Sequence, residues 1–284
     1  MFLINLLCAA LALLLAGIAS LVFVPLMVIL GSLHKILLSP WANPAWIIGR
    51  AWYHFMHFVC VRGLLRVKVQ KEVYMRKPVT AEDHIVWVGN HPSMMAIPSV
   101  FSLFVRCIKP ELLAVSKMEN QESLSAFAAW AVDGWIYIDR DDRASALPAI
   151  SEGVKKSFTP SRALVVFPDS SRPTQEKIRK ARDKIRAHVP NIDDVPSHTL
   201  PWRIGGIVSA LKALDPLPYR MLRVSNGFNV PDEGRKDIMH IIGSTLLFRL
   251  DEIDAPDISD EQACADWANK NHAEVNHILD SHRS

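Results

Sequence analysis

The sequence predicts an α/β fold: a mostly parallel sheet flanked by helices, preceded by an N-terminal membrane-embedded helical segment. Two observations carry this expectation. From about Glu72 onward, short apolar runs alternate with longer helical stretches, the pattern of strands joined by crossover helices. Ahead of that, residues 1–34 contain no charged side chain at all. The chain has 284 residues, 50% of them hydrophobic and 21% charged, which suits one sizeable core or a small domain pair and argues against disorder.

The N-terminal run is too long for one upright crossing. As a helix, 34 residues reach about 51 Å against a hydrocarbon thickness of roughly 30 Å. Pro25 lies inside it and is expected to break or kink the helix near Phe23 and Val24. Two geometries satisfy this: a span over Phe2–Val24 followed by a second apolar piece, or a bent pair that enters one leaflet and returns. A cleaved signal peptide fits less well, because no basic residue precedes the apolar run and apolar sequence continues past Ala19-Ser20. The first positive charges lie on the C-terminal side, so the remainder is expected on the cytoplasmic face.

Charge is unevenly placed. Residues 1–71 hold Lys35, Arg50, Arg62, Arg66, Lys68 and Lys71 and no acid, so this section carries +6 and leaves −3 for the remainder of a chain whose net charge is +3. A basic, acid-free section beside an apolar terminus suits anionic lipid. Trp41, Trp46, Trp52, Tyr53, Phe55 and Phe58 cluster in residues 41–58, where amphipathic rings favour the headgroup level; an aromatic core helix is the alternative reading. The modest net charge offers no polybasic surface for nucleic acid. His54 and His57 stand at i, i+3 without an acidic neighbour, and no metal site is expected. Cys8, Cys60, Cys107 and Cys264 lack metal or disulfide spacing and are expected as reduced thiols.

The expected strands are Ile85–Gly89, Leu112–Ser116, Trp135–Asp139, Ala163–Phe167 and Met221–Ser225, with a late one within Met239–Leu250. Helices are expected over Ser93–Val105, Gln121–Val132, Arg143–Ser157, Thr174–His188 and Ser259–Asp280. In such alternation, sites form at the carboxyl ends of strands. His91 stands where the first of these strands gives way to a helix, as a general base or as a hydrogen-bonded turn histidine. Arg140 and Arg172 follow two others. They either converge on one anion, which guanidinium groups grip bidentately, or pair with Asp139, Asp141 or Asp169 at the surface. Lys117, after a further strand, is either a phosphate ligand or a solvated surface lysine.

Three ordered blocks make the chain recognisable. Asn90-His91-Pro92-Ser93, Gly134-Trp135-Ile136-Tyr137-Ile138-Asp139-Arg140 and Phe167-Pro168-Asp169-Ser170-Ser171-Arg172 resemble the glycerolipid acyltransferase family, which includes the 1-acylglycerol-3-phosphate acyltransferases. A weaker fourth block is Leu200-Pro201-Trp202-Arg203. The stretch Thr174-Gln175-Glu176-Lys177, with Pro201 and Gly205, looks most like the lysophospholipid acyltransferase branch. The likeness covers about residues 80–215. It implies a membrane enzyme, on the cytoplasmic face of a bacterial inner membrane, that moves a fatty acyl chain to the hydroxyl of a lysophospholipid. Acyl-CoA or acyl carrier protein is the implied co-substrate, with no other cofactor. By this resemblance His91 is the general base, and Asn90, Lys117, Arg140, Asp169, Ser171 and Arg172 bind the substrate. The implied organisation is a membrane segment over 1–40, a basic and aromatic interfacial helix over 41–71, and an acyltransferase domain over 72–284.

Two positions depart from the family pattern. The family has His, then four residues, then Asp; counting from His91 that position is Ala96, while Ile97-Pro98 continues the pattern. That Asp orients the imidazole, and neutralising the analogous residue in serine-protease triads costs about 10⁴ in turnover. The family's Glu-Gly-Thr also reads Asp169-Ser170-Ser171, which keeps a carboxylate and a hydroxyl. A catalytically silent phospholipid-binding protein on the same fold is the competing expectation. A soluble phosphate-binding enzyme with an N-terminal anchor is a third, but no nucleotide motif supports it.

Overall fold

The computed structural model describes residues 2–37, 43–91, 93, 95–109, 111–139, 141–169, 173–188, 198–230 and 238–283. In chain order the elements are α1 (Phe2–Ile36), α2 (Ala45–Phe55) with a π-helical continuation (Met56–Leu64), β1 (Lys68–Tyr74), β2 (His84–Gly89), α3 (Ile97–Cys107) and β3 (Glu111–Lys117). A short 3₁₀ turn (Met118–Glu122) leads to α4 (Leu124–Ala131), β4 (Trp135–Ile138), α5 (Arg143–Ser157), β5 (Arg162–Val166) and α6 (Gln175–His188). The chain ends with α7 (Gly205–Leu214), β6 (Tyr219–Phe228), α8 (Ile238–Ile241), β7 (Thr245–Ile253) and α9 (Glu261–Arg283).

Among the described residues the strands form one seven-stranded sheet in the order β1-β7-β6-β2-β5-β3-β4. Strands β2 to β6 run parallel; β7 pairs antiparallel with β6, and β1 follows β7 in parallel. The central strands read as continuous apolar runs because both faces are covered. In β2, Ile85 and Trp87 join one core while Val86 and Val88 join the other, the two-residue alternation of a pleated strand. One core packs under α2, its π-helical continuation and α3, where Trp87 stacks on Phe104 at 4.3 Å. The opposite core lies under α5, α7 and α9.

Several expectations need correction. α1 is one continuous helix through Pro25. Packing immediately beyond the proline holds it: Met27 lies against Gly49 of α2, and a Cβ on Gly31 would stand 2.4 Å from the Ala131 carbonyl of α4. Residues 68–71, expected in an interfacial helix, form the start of β1 and pair with β7. Met239–Leu250, expected as one strand, is split between α8 and β7 by a turn in which Gly243 adopts φ +77°. α3 starts at Ile97 rather than Ser93, with Pro98 in its first turn.

α1 is tied to the domain near both ends. Asn5 Oδ1 accepts from Arg66 Nη2, two residues before β1. Lys35 Nζ donates to the Trp130 carbonyl at 2.7 Å and to Asp133 Oδ1 at 2.8 Å, two residues before β4. β1 and β4 are the two outermost strands and run in opposite senses. α1 therefore crosses the whole face diagonally, over α2 and its continuation. Ala9, Ala12, Ala19, Met27 and Gly31 form its buried stripe. Its other side is apolar and exposed, with Leu3, Leu7 and Leu21 each about seven-tenths accessible or more. By length and composition it is long and apolar enough to cross a membrane.

Candidate active site

The ends of β2, β5 and β6 meet at one place. β2 delivers Asn90 and His91 directly from its last residue, Gly89. A side chain at Gly89 would drive a Cβ to 2.1 Å from the Val224 carbonyl, so only glycine lets β2 close on β6 here. Asn90 is buried and spends its carboxamide on β6: Nδ2 donates to the Asn226 carbonyl at 2.8 Å and Oδ1 accepts the Asn226 N–H at 3.0 Å. The Asn226 carboxamide returns a bond to the Asn90 carbonyl at 3.1 Å. Asn90 therefore fixes the frame on which His91 stands.

His91 is placed by β5. Its backbone N–H donates to Asp169 Oδ2 at 2.8 Å, and its ring lies against the Phe167 ring with centroids 4.7 Å apart. Asp169 is 2% exposed. The Arg203 N–H donates to the Pro168 carbonyl at 2.8 Å, which brings the fourth sequence block beside the third.

A cavity of about 410 Å³ opens at this junction, a size suited to a small ligand or part of a larger one. One wall is apolar, formed by Met95, Ala96, Phe228 and Leu279; the basic groups His91, Lys177, His198 and Arg283 line it elsewhere. None of the described lining residues is acidic. His91 and Ala96 share this cavity. Between them, the Ala96 N–H is held by the Ser93 carbonyl at 3.0 Å and by Ser93 Oγ at 3.2 Å.

Of the residues expected at the site, Asn90, His91 and Asp169 come together. Lys117 is not among the described residues that line the cavity. It ends β3, separated from β2 by β5, and its ammonium lies 3.7 Å from Glu119. Arg140, Ser171 and Arg172 lie outside the described residues. The strands that precede the two arginines are not neighbours: β3 stands between β4 and β5, which sets their ends about 10 Å apart at the usual strand spacing.

Sequence reasoning did not anticipate the contribution of α9. Asp280 Oδ1 accepts from His198 Nε2, and Arg283 Nη1 donates to His198 Nδ1. The His198 N–H also donates to Asn276 Oδ1 at 2.9 Å. No local motif announces these partners, which are 78 to 85 residues apart in sequence. His54 and His57 lie elsewhere, bonded to Ser102 Oγ at 2.7 Å and Ser99 Oγ at 2.9 Å across the α2–α3 interface. Among the described residues, no three His, Cys, Asp or Glu side chains are grouped to hold a metal ion.

The architecture is an acyltransferase fold. The crystal structure of the 1-acyl-sn-glycerophosphate (LPA) acyltransferase PlsC from Thermotoga maritima superposes with a TM-score of 0.58, over 98% of this chain and 95% of that one, at 17% identity. At that identity the likeness is one of fold. No protein-family model and no curated protein matches the chain.

Proposed function

We propose that the protein is a membrane-associated member of the glycerolipid acyltransferase family. It transfers a fatty acyl chain from acyl-CoA or acyl carrier protein to the hydroxyl of a lysophospholipid such as 1-acylglycerol-3-phosphate. The observation that carries this reading is the cavity shared by His91 and Ala96 at the ends of β2, β5 and β6. In the proposed step, the His91 imidazole takes the proton from the acceptor hydroxyl as its oxygen attacks the thioester carbonyl. The new C–O bond forms, the C–S bond breaks, and the proton passes from His91 to the leaving thiolate. Asp169 holds the His91 backbone, while Arg140, Ser171 and Arg172 are the proposed ligands of the acceptor's phosphate. Acylation requires no other cofactor.

The proposed membrane attachment is monotopic. α1 is bonded to the domain at both Asn5 and Lys35, so it lies along the domain and presents its exposed leucines to one leaflet. The proposed boundaries are a membrane segment over 1–40 and an acyltransferase domain over 72–284, with the stretch between them packed as a wall of the domain. The catalytic domain is proposed to face the cytoplasm of a bacterial cell.

Ala96 favours a second reading, a phospholipid-binding protein without turnover. One experiment decides between them. Purified protein, as it stands and with Ala96→Asp, is assayed with lysophosphatidic acid and acyl-CoA. A carboxylate beside His91 is expected to raise transfer by at least about a hundredfold, the lower range for an oriented general base. His91→Ala is expected to abolish the gain, because the two residues act as one unit. A folded Ala96→Asp protein that transfers no acyl group with any donor favours the lipid-binding reading. A gain that survives His91→Ala assigns the base elsewhere.

A further inference from the structure

We infer that Phe58, Arg62 and Arg106 form a site for the headgroup phosphate of an anionic bilayer lipid, outside the cavity, on the helical face that α1 crosses. The site presupposes the monotopic attachment proposed above and adds a lipid preference to it. That face is free of acids: α1, α2, its π-helical continuation, α3 and α4 contain no Asp or Glu. Over the opposite core, α5 and α9 carry both signs. Arginines of the sheet are matched to carboxylates, as Arg220 is to Asp83 and Glu252, and Arg162 to Glu111. Arg62 and Arg106, by contrast, are exposed and make no ion pair among the described residues.

Two elements bring these cations to one ring. Arg62 lies in the π-helical stretch, about one turn after Phe58, and Arg106 in the last turn of α3. Their Cζ atoms stand 5.9 and 5.4 Å from the centroid of the Phe58 ring. A guanidinium laid over a ring spends its flat face there and keeps its edge N–H donors for an anion. The same two charges also act inward: after burial, Arg62 and then Arg106 are the next causes that lower the pKa of His57. Phe58 and Val59 are 42% and 37% exposed, so apolar surface adjoins the cations. The stretch that carries them packs against α1, whose outer leucines are proposed to meet the leaflet. A free phosphate would answer the cations and leave Phe58 and Val59 in water. A lipid in the leaflet answers both, with phosphate oxygens for the guanidinium edges and acyl chain for the apolar pair.

The test compares two membranes. The full chain is diluted from detergent into vesicles of phosphatidylcholine alone, or of phosphatidylcholine with about one-third phosphatidylglycerol, an anionic surface. Partition is read by flotation across a lipid titration. Partition into the anionic vesicles should exceed that into the neutral ones by roughly tenfold or more, at about fivefold per arginine. Arg62→Ala and Arg106→Ala should each remove part of this excess and together most of it. Arg62→Lys with Arg106→Lys should keep only part, because an ammonium lacks the planar fork. Lys155→Ala with Lys156→Ala takes the same charge from exposed positions of α5 and should leave the excess intact. An excess that survives the double alanine variant, full retention by the lysine pair, or an equal loss in the α5 variant overturns the inference. Both arginines are exposed, so the variants should melt like the parent. Either folded single alanine variant with an undiminished excess overturns the site as well. Equal flotation of the parent with both vesicles overturns this site alone. Flotation with neither overturns the attachment reading and this site with it.

Discussion

The carboxamide of Asn90 and the backbone of Asn226 close β2 onto β6 with two hydrogen bonds, of 2.8 and 3.0 Å, immediately before His91. Asn90→Ala removes both and strands a buried donor and acceptor on Asn226. The expected cost is about 2–4 kcal/mol, from one to two unsatisfied buried groups. Asn90→Asp keeps the acceptor but buries a charge where the donor stood, and should be no better. Apparent melting temperature in detergent reads this. A variant that melts like the parent would show that β6 is not held by Asn90.

The contact of Gly31 with Ala131 gives a second test. Any Cβ there meets backbone, at 2.4 Å from the carbonyl oxygen. Gly31→Ala should therefore lift α1 from α4 and cost about 1–3 kcal/mol, as overpacking does. The separation should also loosen Lys35 from Asp133. Limited proteolysis within α1 should become faster, and unchanged protection of α1 would count against its docking on α4.

His57 predicts a pH dependence of stability. Burial first, then the Arg62 and Arg106 charges, lower its pKa from 6.5 to about 4. The folded state thus holds the imidazole neutral, bonded to Ser99. Between those two pKa values the unfolded chain binds the extra proton, so stability is present above about pH 6.5 and is lost as pH falls towards 4. The slope from this group approaches about 1.4 kcal/mol per pH unit within that window. Melting curves at pH 7.5, 6 and 5 should separate in the parent and draw together in His57→Gln. Equal spacing in both proteins would remove His57 as the cause.

How much of this was legible in the sequence depended on the range of the interaction. β2 and β5 announced themselves because strands buried on both faces must be apolar throughout. β1 did not, because Lys68, Gln70, Lys71 and Glu72 break its apolar run and its place is set by pairing with β7, far along the chain. Met239–Leu250 was legible as apolar but not as two elements, since a single glycine turn divides it. Pro25 misled in the opposite direction: its local preference to break a helix is overridden by the seats of Met27 and Gly31. At the site, Asn90, His91 and Asp169 were readable from their positions at strand ends. His198 and Arg283 were not, because only the docking of α9 brings Arg283 to the cavity and joins it and Asp280 to His198.

The diagonal course of α1 makes anchor and wall one object. The same helix that offers leucines outward seals α2, its continuation and α4 with Ala9, Ala12, Ala19, Met27 and Gly31. Cutting it away would trade one greasy surface for another, freshly uncovered and lacking the helix that evolved to sit there. A water-soluble version of this protein is therefore reached by repainting, with polar residues at outward positions such as Leu3, Leu7, Leu14 and Leu21, and not by truncation.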